Sequence, residues 1–313
     1  MRYILKKTGA LLLTLLLVSL LAFLAFQIIP GDPTTKILGS DYTPERAEAL
    51  REQLGLNGNV LLRYVRWLTG FLTGDMGMSY SYMMDVSDVM HGKLAVTAAL
   101  SVLSWILVTA VSIPLGIALA RYNGGPFDRI GVAVNQVFMA IPPFFIGILF
   151  TYLFGLVLHW FVPGRYIPLR QDFWGCIGYL IFPALAISIP KAAKTAKLLR
   201  SSILTEMKKD YVRTAYSRGN SRWMVIRSHV LRNALLPVVT YVAMSLADIV
   251  AGSIIVEQVF VVPGLGRLLI SSIANRDFPV ALAIVVIIAF VVVFMNYLAD
   301  IVTQYIDPRV RLS

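Results

Sequence analysis

DYVRTAYSRGNSRWMVIRSHVLRNALLP, residues 210–237, is a basic polar stretch set between apolar runs. It carries Arg213, Arg218, Arg222, Arg227 and Arg232, and Gly219-Asn220 divides it into two helix-like pieces. Ser221 can cap a helix that begins at Arg222, because its hydroxyl can accept an otherwise orphaned N–H. Trp223, Ile226 and Val230 then share one face of that helix. Val212, Ala215 and Tyr216 form a smaller apolar patch on the helix before it. Such a segment reads as a cytoplasmic loop of a membrane protein, folded into two short amphipathic helices that meet at Gly219. Two plainer readings are a loop that only sets topology and an interfacial helix lying on anionic lipid.

The rest of the chain agrees with a membrane setting. Of 313 residues, 58% are hydrophobic and 14% charged, where a soluble domain carries roughly 25% charged residues. Several runs of about 20 apolar residues are long enough to cross a hydrocarbon core. The formal charge of +11 is explained by basic residues gathering in cytoplasmic loops, not by nucleic-acid binding. The single cysteine, Cys176, excludes an intramolecular disulfide.

Arg2, Lys6 and Lys7 precede a first apolar run at residues 9–29, too long and without the small-residue site of a cleaved signal peptide. Residues 30–93 form an acid-bearing outer interval that Pro30-Gly31-Asp32-Pro33 opens. Thr43 and Pro44 mark a helix start there, and Gly55 marks its end. A second helix over about Val60–Leu72 places Leu61, Tyr64, Val65 and Leu68 on one face. Further spans are expected at 94–119, 130–158, 177–199, 236–256 and 280–302. Pro142-Pro143 must interrupt the third of the six. An outer re-entrant-like segment is expected at 257–279.

No nucleotide-binding fingerprint is evident, so the chain is not expected to be an enzyme by itself. The one Gly-Lys pair, Gly92-Lys93, has Ser87 where a P-loop needs its first glycine and Leu94 where it needs a hydroxyl. His91, His159 and His229 are far apart and form no metal or nucleophile–base spacing.

Residues 210–237 resemble the EAA loop of binding-protein-dependent ABC importer permeases. Arg213-Thr214-Ala215 stands where that family has Glu-Ala-Ala, Gly219 matches its glycine and Leu236-Pro237 its closing Leu-Pro. The glutamate is absent and the Gly219-to-Pro237 distance is long, as in the dipeptide/oligopeptide/nickel branch. TPERAEALREQLGL (43–56), GDMGMSY (74–80), LLRSSILTEMKKDYVRTAYSRG (198–219), HVLRNALLPVVT (229–240), EQVFVVPGLGRLL (257–269), NRDFPV (275–280) and DPRVR (307–311) also resemble the first permease subunit of that branch, in order.

The resemblance implies an all-α polytopic membrane protein with six transmembrane helices, the type I ABC importer transmembrane fold. A small extracytoplasmic helical segment would follow the first helix. Residues 1–93 would hold the first helix and that segment, 94–313 the transporter domain, with its coupling loop at about 200–236. The chain would pair with a second permease subunit, dock on two ATPase subunits and receive substrate from an extracytoplasmic binding protein. ATP and magnesium would sit on the ATPases, with no cofactor on this chain. Both termini would be cytoplasmic in a bacterial or archaeal cell membrane. Tyr216 and Trp223 would anchor the docking plug, with Ala215 and Gly219 letting helices approach closely; Arg213, Thr214 and Pro237 complete the loop. The implied cargo is di- or oligopeptides, with nickel or a metal chelate as the alternative. An ion-driven secondary transporter is disfavoured because no inverted repeat is evident.

Asp248 lies within the fifth span. A charge there is costly and faces a bundle interior or a wet cavity. It reads either as a contact for a cationic substrate group or as a structural acid bonded to a nearby hydroxyl or backbone group. Glu257 is expected to pair with Arg267 or Arg276, and Trp160, Phe161 and Trp174 to form an interfacial aromatic belt.

Overall fold

The computed structural model describes residues 2–28, 33–55 and 57–306. The Pro30-Gly31-Asp32 stop, Leu56 and the DPRVR tail lie outside the described residues. In chain order the helices are α1 (Arg2–Ile28), α2 (Pro33–Leu38), α3 (Pro44–Gln53), α4 (Val60–Thr73), α5 (Val86–Met90), α6 (Lys93–Arg121) and α7 (Pro126–Ala140). Then come α8 (Pro143–Phe150), α9 (Phe173–Glu206), α10 (Asp210–Ser217), α11 (Arg222–Val225), α12 (Leu231–Ala234), α13 (Leu236–Phe260), α14 (Leu265–Ala274) and α15 (Phe278–Ile306). π-helical turns at Thr151–Val157 and Ile226–Val230 follow α8 and α11.

Among the described residues, five stretches are long and apolar enough to cross a membrane: Leu5–Ile28, Val86–Arg121, Phe173–Glu206, Leu236–Phe260 and Phe278–Gln304. A sixth is the pair Pro126–Ala140 and Pro143–Val157, bent by 96°. The expected third span is therefore two half-helices. Ile141 precedes a proline and is pushed out of the helical region to ψ 125°. Pro142 is extended at ψ 143°, and Pro143 opens the next helix, where a missing N–H costs nothing. Pro114, Pro183 and Pro190 lie inside continuous helices.

The chain divides into two compact units, Met1–Thr97 with Pro263–Val293, and Ala98–Val262 with Phe294–Ser313. In the first, Phe23 of α1, Tyr64 of α4 and Leu282 and Val286 of α15 form a buried cluster. Tyr64 ties α4 to α1 through a 2.8 Å hydrogen bond with the Ser19 hydroxyl. The buried side of α4 is Tyr64, Trp67, Leu68 and Phe71, while Leu61 and Val65, grouped with Tyr64 and Leu68 by spacing, are exposed. α4 carries apolar residues on both sides, so periodicity alone could not choose the face that meets α1. As expected, Thr43 caps α3 by accepting from Arg46 N–H at 3.3 Å, with Pro44 in its first turn.

Asp277, immediately before α15, is wholly buried and organises residues 79–82. Its carboxylate accepts from the Ser79 hydroxyl at 2.5 Å, Tyr80 N–H at 3.0 Å and Ser81 N–H at 3.2 Å. Ser79 Oγ in turn accepts from Tyr82 N–H at 3.0 Å. The carboxylate thereby satisfies two backbone donors in a turn that has no helix to satisfy them. Burial pushes the Tyr80 phenol up to about 12, so it stays a neutral hydroxyl at any physiological pH.

In the second unit, α9 is the spine, packed by α7, α8 and α13. Its buried surface is rich in small residues, including Ala184, Ala186, Ala192, Ala193 and Ala196, which lets backbones approach closely in lipid. Asn135 of α7 donates to Ala193 C=O at 2.7 Å, and Trp105 Nε1 of α6 donates to Val242 C=O of α13 at 2.8 Å. At the other end of α9, Tyr179 donates to Phe260 C=O at 2.5 Å and accepts from Gly164 N–H at 2.9 Å. Phe161 stacks on Phe182 at 4.7 Å and meets Phe260 at 5.8 Å. It is thus core, not belt, whereas Trp160 and Trp174 are exposed as expected of a belt. α13 ends in a Schellman pair, Val262 N–H to Glu257 C=O and Val261 N–H to Gln258 C=O. Val261 takes φ 59° there, a left-handed conformation that costs a branched residue about 1–2 kcal/mol.

Gly116 of α6 packs closely on α9. A Cβ there would lie 2.9 Å from both Ala196 O and Leu199 Cβ. Gly116→Val is expected to destabilise the protein by about 1–3 kcal/mol through overpacking. Thermal melting of the detergent-solubilised protein measures this, and an unchanged midpoint would mean that α6 and α9 part freely.

Candidate functional site

The polar interval after α9 folds as a two-helix plug. α9 closes at Glu206, whose carboxylate accepts from Lys209 Nζ at 2.5 Å and Tyr211 Oη at 2.7 Å. Burial, then that carboxylate, push the Tyr211 phenol upward, so it remains a donor. α10 ends in a Schellman motif. Asn220 N–H bonds Ala215 C=O at 3.4 Å, Gly219 N–H bonds Tyr216 C=O at 2.9 Å, and Gly219 takes φ 83°. The Asn220 side chain adds a second bond to Ala215 C=O at 3.1 Å. Ser221 then caps α11 by accepting from Met224 N–H at 3.4 Å, so both pieces and their punctuation match the sequence reading.

The plug is fastened from beneath. Val212, Ala215, Val225, Ile226 and Val230 join Leu199 and Ile203 of α9 and Ala120 of α6 in one buried cluster. Arg222 donates to Ala120 C=O at 3.3 Å, satisfying a carbonyl at the end of α6. Arg121 lies over the Trp223 ring at 4.9 Å, within cation–π range.

What remains outward is Arg213, Thr214, Tyr216, Gly219 and Trp223, with Tyr216 and Trp223 exposed by 40% and 39%. Trp223 does not share the buried face with Ile226 and Val230, which α11 completes with Val225 instead. The π-helical turn at 226–230 shifts the register that an ideal helix would keep. Ala215 is buried against the cluster. Gly219 serves the left-handed turn and not a close approach, since a Cβ there would meet nothing within 4 Å. Pro237 is exposed in the first turn of α13, apart from the plug helices.

Beside the plug lies a clasp that sequence reasoning missed. Arg200 of α9 grips Asp128 of α7 with two parallel bonds, Nε–Oδ1 at 2.7 Å and Nη2–Oδ2 at 2.8 Å. Asp128 Oδ2 also accepts from Gly124 N–H at 2.9 Å, and Arg200 Nη2 donates to Asn123 Oδ1 at 2.9 Å. The turn between α6 and α7 is thereby tied to α9. The signal was present: Asp128 is the one acid in the basic turn 121–129. Asp277 was likewise an acid with a hidden duty, inside NRDFPV.

Asp248 of α13 stands apart from the plug. Its carboxylate lies 3.7 Å from Lys191 Nζ of α9, and the two side chains are 69% and 19% exposed. Asp248 is therefore neither enclosed nor held by a hydroxyl or a backbone group; its partner is a lysine within the span expected at 177–199. Three residues further along α9, Lys194 lies over the Tyr241 ring of α13 at 5.3 Å. The α9–α13 face thus presents both charge signs within a stretch of membrane-spanning length. Glu257, further along α13, is wholly buried and accepts from the Ser253 hydroxyl at 3.3 Å.

Residues 112–312 match the family model described as binding-protein-dependent transport system inner membrane component, and residues 1–101 match the N-terminal model of the same transport systems. A putative peptide transport system permease protein of Brucella abortus (strain 2308) is 34% identical over 308 residues, 98% of each chain. The oligopeptide transport system permease protein AppB of Bacillus subtilis is 33% identical over 315 residues, 99% of each chain. The glutathione transport system permease protein GsiC of Salmonella paratyphi A is 33% identical over 312 residues, again 99% of each. Among solved structures, one of the inward-facing MetNI methionine ABC transporter superposes with TM-score 0.56 at 16% identity, covering 70% of this chain and 96% of that one. At such identity the likeness is one of fold.

The Asp128–Arg200 clasp is open to test. Removing either partner alone, Asp128→Ala or Arg200→Ala, is expected to cost about 3 kcal/mol because the other charge is left unpaired. The double variant should cost clearly less than the sum. Additive losses in denaturant or thermal unfolding would show that the two groups do not act together.

Proposed function

Because the chain belongs to the family of inner membrane components of binding-protein-dependent transport systems, with the type I ABC importer transmembrane fold, we propose that it takes up peptides and is driven through its plug by separate ATPase subunits. It is a multi-pass inner membrane permease component. Residues 94–313 serve as the transporter domain and 1–93 as an N-terminal helix with an outer segment. The full assembly has a second permease subunit, two ATPases that hold ATP and magnesium, and an extracytoplasmic binding protein. This chain itself carries no catalytic site or cofactor. Both termini lie in the cytoplasm, on the side of the basic loop.

The observation that carries this reading is the plug itself. It exposes two aromatic rings, Tyr216 and Trp223, beside Arg213, on short helices whose inner faces are locked to α9 and α6. Aromatic and arginine side chains presented on a rigid base are what a protein interface uses as anchors. A plug without that base would move on the chain instead of moving the chain. Arg213 and Thr214 flank the anchors, Ala215 roots α10 and Gly219 sets the angle between the helices. Pro237 starts α13 beyond them.

The Lys191–Asp248 pair supports a peptide as cargo. A peptide in zwitterionic form carries an ammonium and a carboxylate, and this face offers one partner for each. The names of three relatives, for peptides, oligopeptides and glutathione, point the same way. An exposed carboxylate at membrane depth is costly unless it faces water or a partner, which fits a translocation pathway.

Two outcomes are expected. Tyr216→Ala with Trp223→Ala should weaken ATPase association at least about tenfold while the purified subunit keeps its melting temperature. Unchanged association, measured by co-purification and by substrate-stimulated ATP hydrolysis in proteoliposomes, would sink the docking role. Asp248→Asn should reduce peptide uptake with assembly and ATP hydrolysis intact; equal uptake by the variant would remove Asp248 from the pathway.

A further inference from the structure

Unit Met1–Thr97 with Pro263–Val293 contains a cavity of about 1030 Å³ that the transport reading does not use. Its apolar lining comes from α1, α4 and the start of α15: Phe23, Phe26, Trp67, Phe278 and Leu282. Phe26 and Phe278 meet there at 5.5 Å, and Phe23 and Trp67 at 6.1 Å. The polar lining includes Arg63 and Arg66 from α4.

The charges along this lining are unequally committed. Glu48 already accepts from Arg51 at 3.0 Å and Asn57 at 2.9 Å. Asp75 accepts from Gly77 N–H at 3.0 Å within its own turn. Arg63 and Arg66 form no ion pair among the described residues. The Trp67 ring lines the same cavity from α4.

The surroundings indicate the occupant. α4 turns Leu61, Leu62, Val65 and Leu72 outward on its far side, and α1 and α15, which wall the cavity, are both long and apolar enough to span. Exposed apolar residues beside two spanning helices place this helix where acyl chains reach. The molecule at hand there has an anionic head and an apolar tail, matching two uncommitted guanidinium groups above an aromatic floor.

We propose that this cavity is a binding site for an anionic phospholipid, with Arg63 and Arg66 holding the headgroup phosphate and the acyl chain lying against Phe23, Phe26, Trp67, Phe278 and Leu282. The headgroup sits on α4, and the chain lies between the two helices that α4 joins. Arginine is suited to this duty because its planar fork meets phosphate oxygens in pairs.

The full-length protein, purified and exchanged into nanodiscs, tests the proposal by native mass spectrometry against phosphatidylglycerol, phosphatidylcholine and inorganic phosphate. Phosphatidylglycerol should be retained in preference to phosphatidylcholine. Arg63→Gln with Arg66→Gln should weaken that retention about tenfold or more, and Arg63→Lys with Arg66→Lys should restore most of it. Equal retention of the two lipids, or full retention by the glutamine pair, overturns the proposal. Displacement of the lipid by millimolar phosphate also overturns it, in favour of a simple anion site. If the glutamine pair does not fold, the lipid comparison on the unaltered protein decides, and equal retention of the two lipids overturns the proposal.

Discussion

Hydrocarbon offers no water to an N–H or a C=O, so every backbone polar group at membrane depth must find its partner inside the protein. That constraint explains where this chain bends and where it runs straight. α9 passes Pro183 and Pro190 without ending, because the turns on either side keep bonding. Consecutive prolines at 142 and 143 leave no such option: Ile141 and Pro142 become extended and two half-helices meet at 96°. At Val261 the chain reverses out of α13 by placing a branched residue in a left-handed conformation, and two Schellman bonds absorb the carbonyls this frees. In each case a strained or broken backbone is accepted because the alternative is an unpaired amide in an apolar medium.

The same constraint gives α9 its place in the mechanism. A continuous helix of 34 residues is about 50 Å long and so outreaches the hydrocarbon core. Along it lie Lys191, which faces Asp248; Arg200, which grips Asp128; and Glu206, which closes the turn into the plug. The face proposed for cargo and the plug are therefore two stations on one continuous helix. A force applied to Tyr216 or Trp223 reaches α9 through Val212, Ala215 and Val225 without a flexible joint. Packed interiors of this kind transmit displacement because they are dense and hardly compressible.

Buried charge is handled with the same economy in both units. Asp277 and Asp128 each sit at the start of a helix, and they satisfy two backbone N–H groups and one, respectively, of a neighbouring turn. Asp128 has an arginine as its counter-ion, so breaking the pair exposes a second uncompensated charge. Asp248 is different: it is largely exposed, with its lysine at the edge of salt-bridge range. Tight, enclosed pairs hold turns, and the loose, open pair lies on the face proposed for cargo.

Much was legible in the residues before any coordinates. Length of apolar runs gave the spans, because hydrocarbon thickness leaves little choice of helix length. Thr43-Pro44, Ser221 and Gly219 gave caps and turns, because these depend on bonds within a few residues. The plug and its family followed from motif order. What the sequence could not show is which face of a two-sided helix is inside: α4 buries Trp67 and Phe71 and leaves Leu61 and Val65 out. Nor could it show that Trp223 would leave the buried face, since a π-helical turn alters the register locally. It did not pair Asp128 with Arg200, 72 residues away, or Asp277 with Ser79, 198 residues away. Nor did it give Asp248 a lysine partner in place of a hydroxyl or backbone group. The sequence by itself determined which segments enter the membrane, where they start and stop, and what kind of machine the chain belongs to, since local bonding and hydrophobic length set those. Only the tertiary structure decided which charges meet and which faces close, because such contacts depend on how distant helices pack and not on the residues nearby in the chain.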